Sequence, residues 1–408
     1  MCSPLILSFA NPVWRYDSEV SEDLGMNIQQ HQPERSGRIS AITIQGFRSL
    51  AHIKQLQLPQ LSVLIGSNGA GKSTLIRFFS LVGSMLRGQR LQEFVLRHGG
   101  GDDQLFMGAK QTPQIQANIQ IQSEQGRRHD YTFELSYNPA QDSLYLSREA
   151  VRFVPDQSDL PPWHELPMPA RESQLVLASA EKGRVDHSSA LIVNLLQRCA
   201  TYQFHDTSEN AYIKKPWDIE DCAWLRDDGG NLAAILYRLQ HSDAKRYQLI
   251  VRQIQRVLPT FAEFVLEPIH GKVALRWRGR ASHQSFGAHL TSDGSLRLFS
   301  LLTLINLSSD MLPDVLFLDE PELGLHPHAI TLVAAGLKRL SHQHQIFIAT
   351  QSPHMVDCFD VENIIVAKLT NDGATTLNTL QRSEYQQWLD EEYQLSDLWL
   401  TDVIGSNV

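Results

Sequence analysis

Cysteine is scarce in this chain: four among 408 residues, Cys2, Cys199, Cys222 and Cys358, with no CxxC pair. Such spacing speaks against a disulfide framework and a structural zinc site, and it points to a reducing, cytoplasmic compartment. Long apolar runs are lacking too, since no segment approaches the roughly 18 residues of a membrane-spanning helix, and a membrane role is not expected. The N-terminal PLILSFA is too short and lacks the basic flank of a secretory signal. There is no internal repeat and no heptad run long enough for an extended coiled coil. Positive charge is not in excess either: the net charge of −9 argues against a broadly basic nucleic-acid binder while leaving a local basic groove open. The 42% hydrophobic and 20% charged content is that of an ordinary globular chain able to bury a full core.

Residues 1–38 hold scattered polar residues and prolines with no sustained period, so a poorly ordered extension is expected there, with Met26 as an alternative start. From Ile39 the text becomes strand-like: ISAITIQGFRSL, then HIKQLQL, then the compact apolar LSVLIG. Apolar residues at helical spacing follow in GKSTLIRFFSLVGSML. TPQIQANIQIQ, YTFELSY and DSLYLSREAVRFV then predict an antiparallel subsheet. The Pro-rich stretch 155–187 reads as loops. Helical spacing resumes in SSALIVNLLQRC, NLAAILYRLQ and AKRYQLIVRQIQRVL, before FVLEP and KVALRWRG suggest a hairpin. From Thr291 helices and strands alternate, which implies a parallel sheet with crossover helices.

Between Leu61 and Thr74 the chain reads LSVLIGSNGAGKST, which contains the pattern GxxxxGK[ST] as Gly66, Ser67, Asn68, Gly69, Ala70, Gly71, Lys72 and Ser73, followed by Thr74. Glycines let backbone N–H groups approach phosphates, the helix N-terminus favours negative charge, Lys72 reaches the β and γ phosphates, and Ser73 serves as a Mg²⁺ ligand. The pattern follows a predicted strand and opens a predicted helix, which is the context that gives it meaning. A second signal is VLFLDE, where a buried-strand run ends in the paired acids Asp319 and Glu320. Beside a phosphate loop, Asp319 suits Mg²⁺ and Glu320 suits orienting or deprotonating an attacking water.

The segments GSNGAGKS, LTSDGSLRL, LFLDEPELGLHP and IFIATQSPHMVD, in that order, resemble the ABC-type ATPase heads of the RecF, SMC and overcoming-lysogenization-defect group, in particular the short stand-alone RecF-like AAA family ATPases. The resemblance runs from about residue 39 to the C-terminus and includes YQFHDTSEN and LRDDGGNLAAIL. It implies an α/β P-loop NTPase fold with a mixed β-sheet, crossover helices, an antiparallel subsheet and an inserted α/β lobe. The expected divisions are the extension 1–38, the first part of the head 39–154, the lobe 155–285, the second part of the head 286–380, and a helical tail 381–408. ATP and Mg²⁺ are the implied cofactors. The resemblance also makes LTSDGSLRL a signature motif that acts in trans, Ser292 and Gly294 facing the γ-phosphate held by a second protomer, so that a homodimer forms on ATP binding.

Gln351 falls at the switch position, where many such ATPases carry histidine. Glutamine can exchange hydrogen bonds with phosphate or water but cannot carry positive charge, so slow turnover is expected. Arg48 in GFRSL and Gln104 in GGGDDQLF are weaker candidates for nucleotide and Mg²⁺ contacts, and Asn231 suits a helix cap. His326 lacks the neighbours that would complete a ligand set, so packing is its expected role. The interval from Lys72 to Ser292 leaves no room for an SMC-like arm, and the stretch after Gln351 is short for a fused nuclease domain. Two functions compete: an ATP-gated clamp on DNA in repair, recombination or phage defence, and a regulatory ATPase acting on a separately encoded effector protein. A transporter ATPase subunit is disfavoured by the SDG signature, the switch glutamine and the large lobe. Lys214, Lys215, Arg226, Arg252, Arg256, Arg278 and Arg280 are the basic lobe residues a DNA-binding reading would draw on.

Overall fold

Five consecutive apolar or small residues, Leu61–Ile65, form a strand buried along its whole length, and the architecture is arranged to cover both of its faces. A computed structural model describes residues 37–87, 90–155, 160–180, 186–281 and 284–404, which fall within one compact unit spanning residues 35–408. The expected N-terminal extension lies outside the described residues except for its last two.

Leu61–Ile65 is central in a six-stranded sheet whose order is Thr375–Thr379, Ile364–Leu369, Leu61–Ile65, Gln345–Ala349, Val315–Asp319 and Cys199–Tyr202. All pairings are parallel except that of Thr375–Thr379 with Ile364–Leu369. The side-chain period of two divides the central strands between two cores. Val63, Leu316, Leu318, Ile346 and Ile348 face one of them, packed against the helices Asp293–Leu304 and Pro327–Ser341. Leu64, Val315, Phe317 and Phe347 face the other, packed against the helix Lys72–Leu86. Its far side is covered by an antiparallel sheet in the order Leu50–Gln57, Arg38–Phe47, Gln114–Gln122, Arg128–Asn138, Ser143–Val154 and His164–Glu165. The helix is thus enclosed between two sheets. In Gln114–Gln122 the isoleucines are buried and the intervening polar residues are not, as strict alternation predicts. Gln345 ties the two sheets together: its side chain accepts from Ile39 N (2.9 Å) and donates to Ile39 O (2.7 Å) and Pro59 O (3.2 Å).

The structure departs from the sequence reading at several points. Cys199–Tyr202, expected inside a separate lobe, is the edge strand of the parallel sheet, paired with Val315–Asp319. Within 155–187, read as loops, there are a short strand, His164–Glu165, and a helix, Leu175–Ala180, while the helix Asp186–Gln197 begins at the end of that stretch. The expected hairpin forms in part, Arg276–Gly279 pairing antiparallel with Phe261–Phe264 and with Ser285–Gly287, but KVALRWRG is split, since Lys272–Val273 pairs instead with Trp217–Asp218. In its second half, Trp277 joins Phe261 and Phe264 around Phe299 of the Asp293–Leu304 helix. The residues read as a lobe are therefore divided: Leu166, Leu175, Ile192 and Leu195 pack in the core around the helix Lys72–Leu86, and those from Tyr202 onward share a core with the second half of the head.

Phe79 is the main aromatic contact between the enclosed helix and the parallel sheet, with its ring stacked on Phe317 at 4.7 Å and tilted on Phe347 at 5.9 Å. Phe79→Ala should destabilise the protein by about 3–5 kcal/mol, measured by urea unfolding, because the filled space between helix and sheet cannot collapse.

Candidate functional site

At the end of Leu61–Ile65 the chain turns through Gly66–Gly71 into the helix Lys72–Leu86. Gly66 (φ +150°), Gly69 (φ +79°) and Gly71 (φ +101°) adopt conformations that L side chains rarely take. Space demands glycine at two of them as well. A Cβ on Gly66 would lie 2.2 Å from the carbonyl oxygen of Ala367, and one on Gly71 would lie 2.2 Å from Thr375 Oγ1. One on Gly69 would meet nothing within 4 Å, so this glycine faces open space where a ligand can approach backbone. No side chain caps the helix, which leaves its first-turn N–H groups for an anion. Lys72 is buried and folds back over the loop, Nζ donating to Gly66 O (2.7 Å) and Ser67 O (3.0 Å). Burial lowers its pKa, opposed by the charges of Glu320, Asp319 and Glu322. Ser67 and Asn68 are exposed, Ala70 N donates to Ser67 O, and Thr74 Oγ1 accepts from Ser49 Oγ at 3.4 Å.

Asp319 closes the strand Val315–Asp319, and the next residue, Glu320, turns the backbone at φ +44° while its N–H donates to Ala349 O (2.8 Å). Ser73 Oγ donates to Asp319 Oδ1 (3.4 Å), and Gln203 Nε2 donates to Asp319 Oδ2 (3.1 Å). His205 Nε2 lies 2.9 Å from the Asp319 carbonyl. Burial raises the Asp319 pKa, against the hydrogen bond from Ser73 and the charge of His205. The donor chemistry fits Mg²⁺: a hydroxyl and a carboxylate oxygen converge at the mouth of an anion-binding loop, and Mg²⁺ commonly takes one or two carboxylates and completes its shell with phosphate oxygens and water.

Gln351 Nε2 donates to Glu320 Oε1, so the switch residue and the second acid are joined directly. Behind them Glu322 Oε1 accepts from Thr350 Oγ1 (2.5 Å) and Gln351 N (3.4 Å), while its buried Oε2 has no hydrogen-bond partner among the described residues. Burial raises the Glu322 pKa. Glu322, Gln203 and His205 were missed by sequence reasoning. The first stands in ELGLHP as one more loop carboxylate, and the other two follow CATY, whose four half-polar residues resemble an edge strand only once Val315–Asp319 is beside them.

Ser292 is the exposed N-cap of the helix Asp293–Leu304, its Oγ accepting from Ser295 N at 3.3 Å. Gly294 packs on the acid-bearing turn, where a Cβ would lie 2.4 Å from Gly324 O. The structure thus gathers Lys72, Ser73, Asp319, Glu320 and Gln351 together and places Ser292 and Gly294 beside the turn that follows the acids. The weaker candidates have structural partners. Gln104 is fully buried; its Oε1 accepts from Arg48 Nε (3.1 Å) and Nη2 (2.9 Å), and its Nε2 donates to His98 O and Gly100 O. Both are thereby occupied in holding a loop. Asn231 sits at a helix start without capping it, bonding Arg226 N, Asp221 O and Trp224 O instead. His326 caps the helix Pro327–Ser341 through His328 N.

Residues 61–357 match the family model described as "AAA domain, putative AbiEii toxin, Type IV TA system". No curated protein matches the sequence. Among solved structures, the chain is similar to an SMC head bound to the C-terminal winged-helix domain of ScpA, with TM-score 0.55 and 15% identity over 86% of this chain and 99% of that one. It is also similar to an SMC head with an extended coiled coil, bound to the C-terminal domain of ScpA and derived from Pyrococcus furiosus, with TM-score 0.54 and 14% identity over 87% and 99%. The fold is that of a P-loop NTPase of the ABC-ATPase head type. Among the described residues no helix is long and apolar enough to cross a membrane.

Two outcomes follow from this geometry. Gly66→Ala should lose nucleotide binding in a calorimetric titration and lower stability by about 1–3 kcal/mol, since strained backbone and a paired-strand carbonyl resist the new methyl. For Glu322, a raised carboxyl pKa means the folded state holds the proton at pH values where the unfolded chain has released it. Stability tied to this group is therefore present below the ordinary carboxylate range and is lost as pH rises through the raised value. Glu322→Gln removes that loss, so its melting temperature should exceed wild type at neutral pH and the gap should close on acidification.

Proposed function

The chain belongs to the AbiEii-type AAA domain family, and on that premise we propose that it binds ATP with Mg²⁺ between two copies of itself and hydrolyses it, acting as an ATP-gated clamp. The observation that carries this reading is the meeting of Lys72, Ser73, Asp319, Glu320 and Gln351 at the carboxyl ends of adjacent parallel strands. Backbone N–H groups of Gly66–Ser73 and the Lys72 ammonium bind the β and γ phosphates. Ser73 and Asp319 hold Mg²⁺, with Gln203 orienting the carboxylate; the ion, when bound, neutralises charge on the phosphates. Glu320 accepts a proton from the water that attacks the γ-phosphorus, the bond to the β–γ bridging oxygen breaks, and ADP and phosphate leave. Gln351 holds Glu320 through a neutral amide, so turnover is slow.

Ser292 and Gly294 of the second copy complete the site, offering a helix N-terminus to the γ-phosphate. Leu290 and Leu323, 77% and 41% exposed, flank this helix start and its neighbouring turn, and would be covered by that copy. The clamp reading places the protein in the cytoplasm, in DNA repair, recombination or phage defence, with DNA as cargo. A second reading, control of a separately encoded toxin or nuclease through protein contacts, is supported by the net charge of −9. Of the basic lobe residues, Arg226 is paired with Asp221 and stacked on Trp217, and Arg278 is paired with Glu263. Salt-sensitive DNA binding separates the two readings.

The test is solution mass by light scattering. Glu320→Gln keeps binding and blocks hydrolysis, so its mass should double on adding Mg-ATP, and Ser292→Arg added to it should abolish the doubling. A mass that ignores ATP rejects the ATP-driven homodimer.

A further inference from the structure

Arg297 lies in the first turns of the helix Asp293–Leu304, yet its side chain reaches away from that helix. Nε donates to Phe204 O (3.2 Å), Nη2 to His205 O (3.1 Å) and Nη1 to Leu323 O (3.2 Å). Each carbonyl belongs to a segment that holds the acids. Gln203 and His205 bond the Asp319 side chain and backbone, and Leu323 N donates to Glu320 O (3.1 Å). Among the described residues Arg297 forms no salt bridge, so a permanently charged fork is satisfied by three carbonyls near Asp319 and Glu320. A cavity of about 10 Å³, the space of roughly one water, separates Arg297 from those acids and is also lined by His205 and Pro321. There is little slack between helix and acids.

We propose that Arg297 is a positioning residue that couples the helix a chain lends to its neighbour to Asp319 and Glu320 of its own chain. Resting on the two-copy site proposed above, it links the two sites of the dimer: seating Ser292 and Gly294 on one nucleotide adjusts the acids that serve the other. The planar fork suits this task, because Nε, Nη1 and Nη2 each hold one carbonyl in a fixed geometry.

Mixed dimers test the direction of the coupling. One protomer carries Glu320→Gln, so that the acids of the other do all the hydrolysis while the first lends its helix. Arg297→Ala in the protomer with working acids should lower kcat by about tenfold to a hundredfold, with nucleotide affinity unchanged and Arg297→Lys intermediate. In the helix-lending protomer the same change should alter kcat less than about twofold. The reverse pattern, or equal loss from either side, overturns the proposal. Melting temperatures and the lysine variant separate misfolding from lost positioning. If no mixed dimer forms with Mg-ATP although wild type hydrolyses ATP, the two-copy reading fails instead. The uniform Arg297→Ala protein then decides: lowered kcat at unchanged affinity supports positioning of the acids, and unchanged kcat overturns it.

Discussion

A five-residue strand covered on both faces constrains everything else in this protein. Leu61–Ile65 has no exposed side chain, and Gln345–Ala349 beside it and Val315–Asp319 one strand further on are buried along their whole lengths too. Polar chemistry has little place along such strands, so it gathers where they end. Parallel pairing brings three ends to one side: Gly66 after the first strand, Asp319 at the tip of the second, Gln351 just past the third. The site is a consequence of where burial stops.

That edge concentrates charge in a confined space. Lys72 stands near three carboxylates, two of which, Asp319 and Glu322, are pushed toward their neutral forms by burial. Hydrogen bonds from Ser73, Gln203, Thr350 and Gln351 hold these groups in place. The positive φ at Glu320 lets two adjacent acids take different surroundings, Asp319 toward Ser73 and Glu320 toward Gln351. Two neighbouring residues of one chemical type are thereby placed in separate environments.

Much of this was legible from local patterns, because the phosphate loop and acid strand are contiguous segments whose residue types have strong physical reasons. The alternation of Gln114–Gln122 and the helix beginning at Lys72 were equally plain. The elements that escaped are those whose role depends on distant partners. Cys199–Tyr202 is a strand because Val315–Leu318 offers it an edge; Gln104 is buried because Arg48 satisfies its oxygen. Glu322 and Arg297 have no distinctive spacing at all, and their importance comes from atoms contributed by other segments.

The order of strands in the central sheet also bears on how the molecule is made. Leu61–Ile65 is made well before both strands that flank it, Gln345–Ala349 and Ile364–Leu369. Until they arrive, this wholly buried strand has two open edges, and no shorter nascent product can close them. Pairing between remote segments is slow to form and leaves such edges available to other chains meanwhile. Translation must therefore pass residue 369 before the sheet can close around its centre, and a nascent chain interrupted earlier keeps an open edge on which other chains can pair.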